Sequence, residues 1–212
     1  MVERAFKFMS SAHIDSFLAG RLRFGSLESY RNVENQEIRD DREGTSRAIQ
    51  SRPIRSDTPE MRERLRRVGI SLGGPGSVLT NNIFITAAPP WHVFCFSYGE
   101  FEVLKERWAS YDACVEIMNT YLVPAAIWNS GTINGVAVNT LAPEILMHPV
   151  SYTYRDRDIS LEDPAPPDIF TKAPSFARDK EVRIAIDTSR QQFGDAVFID
   201  VPLGSLVRRI DL

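Results

Sequence analysis

Glu181 opens the clearest strand pattern in the chain. In Glu181-Val182-Arg183-Ile184-Ala185-Ile186-Asp187, apolar residues alternate with charged ones. Val182, Ile184 and Ile186 therefore share one face, and Glu181, Arg183 and Asp187 the other. A carboxylate on the wet face of a core strand can accept a hydrogen bond from a sugar hydroxyl or stabilise a developing cation. The plainer reading is an exposed residue paired with Lys180 or Arg183. Ser97 ends the apolar run Phe94-Cys95-Phe96-Ser97, just ahead of Tyr98-Gly99. A hydroxyl at a strand end can face a ligand or simply start a turn. The third constellation is polar: Tyr30-Arg31 with Glu34, then Arg39-Asp40-Asp41-Arg42-Glu43-Gly44. Clustered carboxylates can hold a divalent cation, but the interleaved arginines neutralise them. Arg31 or Arg39 could instead meet a phosphate. The plainer reading here is a solvated loop of ion pairs worth little each.

Other chemistries lack their residues. The sequence has no Gly-x-x-x-x-Gly-Lys-Ser/Thr phosphate loop and no Gly-x-Ser-x-Gly elbow. His13, His92 and His148 are scattered, without metal-ligand spacing, so no metal site is expected. The two cysteines, Cys95 and Cys114, do not make a disulfide framework. Cys95, inside an apolar run, reads as a buried inert thiol.

The elements that must carry these residues alternate irregularly. Ala5–Phe8 and Leu22–Phe24 read as short strands. Ser10 or Ser11 caps a helix through Leu18 that ends at Gly20, and Ser26 caps a turn of helix to Tyr30 and Arg31. Residues 32–56 have little apolar periodicity and read as a mobile polar loop. Thr58-Pro59 opens a helix with Met61, Leu65 and Val68 on one face and Arg62, Arg64, Arg66 and Arg67 around the rest. Gly73–Gly76 is a connector. Ile83–Thr86 and His92–Ser97 read as buried strands, Val103–Trp108 and Ala113–Leu122 as helices, the second stopped near Pro124. Val136–Val138 and the period-two residues Val150, Tyr152 and Tyr154 suggest strands, and residues 163–168 form a proline-rich linker. Ala196–Val201 and Val207–Leu212 would complete the sheet. Without a steady strand–helix–strand rhythm, an α+β domain is expected over residues 1–212.

Composition sets the outer limits. At 212 residues, 43% hydrophobic and 25% charged, the chain has the make-up of one globular domain and not of a disordered or collagen-like protein. A net charge of −3 excludes nucleic-acid binding by overall charge, though not by a local patch. No apolar run approaches the roughly 18 residues that span a bilayer, and the first residues lack an apolar signal core. A cytoplasmic protein with no membrane association is expected.

Several short blocks occur in a recognisable order. They are Phe6-Lys7-Phe8, Leu22-Arg23-Phe24-Gly25-Ser26-Leu27, Tyr30-Arg31 with Glu34, and Asp41-x-Glu43-Gly44. Phe94-Cys95-Phe96-Ser97 follows, then Phe176 with Lys180-Glu181-Val182-Arg183-Ile184, and finally Leu203-Gly204-Ser205-Leu206-Val207. This order resembles a prokaryotic family of unknown function common among defence and mobile genes. The layout is in turn similar to the ADP-ribosyltransferase-like fold. That resemblance implies mixed and antiparallel sheets split around a cleft with peripheral helices, and NAD bound in the cleft as substrate. It makes Glu181 the catalytic carboxylate, with Lys7 in the first motif and Ser97 in the second. Tyr30 would stack on the nicotinamide ring and Arg31 would steady the pyrophosphate. Lys7 departs from the Arg or His of that pattern and lacks a planar fork, which Arg4 or Arg23 could supply. The acceptor would be a protein, a nucleic acid or water, and the setting a bacterial toxin or anti-phage defence effector with an antitoxin or defence-system partner.

Two other classes stay open. One is a non-catalytic nucleic-acid- or protein-binding module that uses loop 31–55 as its contact surface. The other is a metal-dependent nuclease using Asp40, Asp41 and Glu43.

Overall fold

The computed structural model describes residues 4–32, 40–55, 57–67, 70, 77–80, 83–88, 90–154, 156–158, 160–161 and 168–212. Glu34, Arg39, Val68, the Gly73–Gly76 connector and residues 163–167 of the proline-rich linker lie outside the described residues.

The first part of the chain runs β1 (Ala5–Met9), α1 (Ile14–Leu18), β2 (Arg21–Ser26), α2 (Leu27–Arg31), β3 (Thr45–Ile49), β4 (Ile54–Arg55) and α3 (Pro59–Arg67). Then come β5 (Val78–Leu79), β6 (Ile83–Ala87), β7 (Trp91–Ser97), α4 (Phe101–Arg107), β8 (Ala113–Ile117) and α5 (Leu122–Ser130). β9 (Thr132–Ile133), β10 (Val136–Ala137), α6 (Val138–Leu141), β11 (Ile145–Pro149), β12 (Ser151–Tyr152) and β13 (Asp156–Asp158) follow. The last strands are β14 (Thr171–Lys172), β15 (Glu181–Asp187), β16 (Ala196–Asp200) and β17 (Val207–Ile210). The fold is mixed α and β, with mostly antiparallel strands. Among the described residues, no helix is long and apolar enough to cross a membrane.

Ten strands form one sheet in the order β10-β9-β16-β2-β7-β1-β8-β17, with β15 and β11 branching from β7. β7 is the spine. One of its edges pairs with β15 from Trp91 to Ser97. The other edge is shared: β2 pairs at His92 and Val93, and β1 pairs at Ser97. β1 and β2 therefore diverge across Phe94–Phe96, and the sheet forks there.

One face of the sheet packs a large apolar core of Phe17, Phe24, Phe94, Phe96, Val115, Ile127, Ile184 and Ile186. The period-two reading of 181–187 holds on this face, where Val182, Ile184 and Ile186 are all buried. The other face is not wet. Leu27, Val93, Ile169 and Ala185 form one cluster there, and Phe6, Phe8, Leu104 and Cys114 form another. α2 and the 168–172 segment thus lie over the face that carries Glu181.

Four expectations are corrected. Residues 113–122 are not one helix, because Ala113–Ile117 is a strand buried on both faces. α5 begins at Leu122, and Pro124 stands in its first turn, where a proline without N–H is tolerated rather than terminating. The stretch 32–56 is not all loop, because it contains β3 and β4. β3 pairs with β6 and β13, and Arg47 reaches across to Asp156 at 2.8 Å. Ile83 and Ile85 are not buried: they are 59% and 71% exposed on β6. Val138, read as strand, starts α6.

Candidate functional site

The fork creates a pocket. Its lining includes Lys7, Tyr30, Glu43, Cys95, Ser97, Lys172, Glu181 and Arg183, with the aromatic residues Phe6, Phe8, Phe96, Trp108 and Tyr111 completing it. Four of the five residues nominated from the sequence meet here: Lys7, Tyr30, Ser97 and Glu181. The fifth, Arg31, does not line the pocket; its Nη1 donates to the Glu43 carbonyl at 2.7 Å.

Register dictates the floor. Glu181 stands opposite Ser97 and Arg183 opposite Cys95 across the β15–β7 ladder. Cross-strand partners share a face, so these four side chains form one patch. Glu181, expected on a solvated face, is only 5% exposed. A buried carboxylate needs partners, and it has them. Arg183 Nε donates to its Oε1 at 2.5 Å, and Lys172 Nζ to its Oε2 at 2.7 Å. Arg183 Nη1 also donates to Glu43 Oε1 at 2.8 Å. Lys172 stands 3.6 Å from Asp179 Oδ2, and Arg107 Nε donates to Asp179 Oδ1 at 2.9 Å. Three carboxylates (Glu43, Asp179, Glu181) thus face three cations (Arg107, Lys172, Arg183).

This balance sets protonation. Burial opposes ionisation of Glu181, but Arg183 and Lys172 outweigh it and hold the carboxyl well below the ordinary range. Burial likewise opposes the Lys172 charge, and Glu181 with Glu43 raises it above the ordinary value instead. Asp179 goes the other way: burial raises its carboxyl despite Lys172 and Arg107.

Lys7 comes from β1, and its ammonium enters the fork. Nζ donates to the Cys95 carbonyl at 2.7 Å, in the stretch of β7 flanked by the last β2 pair and the β1 pair. It also lies 5.2 Å from the centroid of the Phe94 ring. Burial lowers its pKa, with Cys95 and Glu181 partly offsetting the effect.

The aromatic walls are fixed locally. Ser26 caps α2 by accepting from Ser29 N at 3.0 Å, and Tyr30 follows one turn on. Its ring lies so close to Gly25 that a Cβ there would stand 2.9 Å from Tyr30 Cε2. Trp108, also in the lining, caps the C-terminus of α4. Its indole Nε1 donates to Ser97 Oγ at 3.1 Å, and the Arg107 guanidinium lies 4.4 Å from its ring centroid. Ser97 was expected to emerge at a strand end; it is 5% exposed and faces the pocket.

Gly44 seats Glu43. Its φ is +64°, and a Cβ would come within 2.6 Å of Leu27 Cδ1. Gly44→Ala combines left-handed strain with that collision, for an expected loss of about 1–3 kcal/mol. Thermal melting checks it: a Tm equal to that of the wild type would mean that this approach is not needed to hold Glu43.

Of the other nominated groups, Glu43 and Cys95 also line the pocket. Asp40 Oδ1 accepts from the Arg42 backbone N–H at 3.0 Å, while Glu43 turns to Arg183. Among the described residues, no three His, Cys, Asp or Glu side chains are grouped to hold a metal ion. Cys95 is half-buried rather than buried, and burial pushes its thiol up to about 12, so it is a poor nucleophile. His92 is buried between Thr188 and Gly194, away from the pocket lining. Sequence reasoning missed Lys172, Trp108 and Tyr111. The pair Trp108-x-x-Tyr111, one turn apart just after a helix, was the available signal for an aromatic wall. Thr171-Lys172 offered none.

The chain matches no known family model, no curated protein and no solved structure.

Proposed function

We propose that this chain is an NAD-consuming enzyme of the ADP-ribosyltransferase type, with Glu181 as its catalytic carboxylate. One observation carries the reading. Lys7, Tyr30, Ser97 and Glu181, spread over most of the sequence, line one pocket at the fork of the sheet. The fork also supports the finer fold reading of sheets parted around a cleft.

The chemistry follows from the site. The NAD nicotinamide ring lies against Tyr30 and Trp108, beside Ser97. Glu181, ionised at neutral pH, accepts a hydrogen bond from the 2′-hydroxyl of the nicotinamide ribose. The C1′–N bond breaks with both electrons going to the ring, and nicotinamide leaves neutral. The positive charge passes to the ribose, where the Glu181 carboxylate stabilises it. An acceptor hydroxyl, amine, nucleobase or water then attacks C1′ and gives up a proton. A preplaced charge partner of this kind is worth about 3–4 kcal/mol in comparable sites. The resemblance described above supports a setting as toxin or defence effector.

A second reading is a protein-binding module. It draws on Ile83 and Ile85, two large apolar side chains exposed on β6.

The test is NAD turnover. Incubated with labelled NAD and cell lysate, the protein is expected to release nicotinamide and transfer label. NAD is also expected to raise Tm, as any ligand of the native state does. Neither turnover nor a Tm shift with any lysate would reject the enzyme in favour of the binding module.

A further inference from the structure

The chain has four lysines, Lys7, Lys105, Lys172 and Lys180, and their surroundings differ. Lys105 is half-buried on α4 and Lys180 is exposed. Lys172 stands 2.7 Å from Glu181 Oε2, which holds its ammonium charged. Lys7, which also lines the pocket, makes no ion pair among the described residues. Its Nζ meets two uncharged partners, the Cys95 carbonyl and the Phe94 ring. Desolvation lowers its pKa; Cys95 and Glu181 push it back up, while Arg23 and Lys172 push it further down. An ammonium so placed gives its proton to solvent more readily than one in water, and leaves an amine whose lone pair can attack. Lys7 is only half-buried, although Phe6 and Phe8 beside it on β1 are buried, so a small molecule can reach it.

The rest of the pocket suits an electrophilic carbonyl. The Tyr30 hydroxyl accepts from the Cys95 thiol at 4.0 Å, and its own proton has no acceptor among the described residues. Burial keeps that phenol protonated well above its ordinary range. Ser97 Oγ accepts from Trp108 Nε1, and its proton likewise has no acceptor among the described residues. Both hydroxyls can donate to an oxygen bound beside Lys7. Phe6, Phe8, Phe96, Trp108 and Tyr111 supply apolar walls around a cavity of about 90 Å³. That admits one ring, since sites for whole drug-sized ligands start at about 300 Å³.

We propose that Lys7 is a covalent site for aldehydes carried on a single aromatic ring, which close the pocket as a Lys7 imine. The amine lone pair attacks the carbonyl carbon, and the π pair of the C=O bond goes to oxygen. The nitrogen then gives up both of its N–H protons, the oxygen departs with them as water, and a C=N bond remains. Apolar walls that exclude water protect this bond from hydrolysis. The site does not depend on the NAD reading; where that reading holds, the adduct also blocks turnover.

The experiment treats the whole chain with benzaldehyde and cyanoborohydride, which reduces the imine to a stable amine, and maps the labelled peptides by mass spectrometry. At pH 7, Lys7 is expected to be labelled at least about ten-fold faster than Lys105 or Lys180, because both free amine and enclosing walls favour it. As pH falls, labelling of Lys7 is expected to persist below the pH at which the other two cease to react. Propanal, which has no ring, is expected to show a much weaker preference for Lys7. Urea should abolish the preference. Labelling of Lys7 no faster than of Lys180, or the same preference in urea, would overturn the proposal, and an equal preference with propanal would overturn its aromatic class. Lys7 labelling without nicotinamide release from NAD would remove the enzyme reading and leave this site standing. Nicotinamide release with indiscriminate labelling would do the reverse.

Discussion

Glu181→Gln is expected to slow nicotinamide release by about 10²–10³-fold while the protein stays folded. The substitution keeps the shape and removes the charge. The amide oxygen can still accept from Arg183 or Lys172, but the amide NH₂ then confronts the other donor. The ribose cation loses its counter-charge, so the loss belongs in the chemical step rather than in NAD affinity. Single-turnover nicotinamide release and NAD titration separate the two. Full activity in a folded Glu181→Gln protein would remove the carboxylate from the mechanism. A pure loss of NAD affinity would make Glu181 a binding group instead.

Arg183→Met is expected to lower stability by about 3–5 kcal/mol, the usual cost of stripping one partner from a buried ion pair. For a chain of this size that is a fall in Tm of roughly 6–20 °C. Arg183 is 1% exposed and holds both Glu43 and Glu181. Methionine fills much of the space but removes the guanidinium that both Glu43 and Glu181 face. Adding Glu43→Gln to Arg183→Met should therefore recover part of the loss, and a double-mutant cycle reads that coupling. A loss under about 1 kcal/mol, or strict additivity of the two changes, would show that the network contributes little.

The legible parts of this chain are those in which one face is apolar and the other is not. β15 and β16 alternate, and the sequence pattern reaches them directly. α2 is legible because Ser26 marks its start. β8 was hidden because Ala113, Cys114, Val115 and Ile117 make both of its faces apolar, which erases the alternation, while Pro124 looked like a stop although it stands in the first turn of a helix. β3 was hidden because its stabilising partners, Asp156 on β13 and the backbone of β6, lie far away in sequence. Exposed Ile83 and Ile85 show the converse limit, since composition marks a strand without showing whether anything covers it. The candidate site divides in the same way. Lys7, Tyr30, Ser97 and Glu181 could be nominated by type and by resemblance. The burial of Glu181 could not be read, because the residues that enclose it come from 43, 169, 172 and 179, and no local pattern links them to 181.

The strand order also determines when the candidate site can exist. β2, which leads into Tyr30, has its long partner in β16, far downstream in sequence (Leu22 faces Ile199). β1, which bears Lys7, lies against β8, and the other edge of β8 is sealed only by β17. Without β16 and β17, β2 keeps only its short pairing with β7, and β1 rests on a β8 whose far edge is open. Both prongs of the fork then stand braced from one side, so the pocket walls are expected to firm up late, after β16 and β17 have paired.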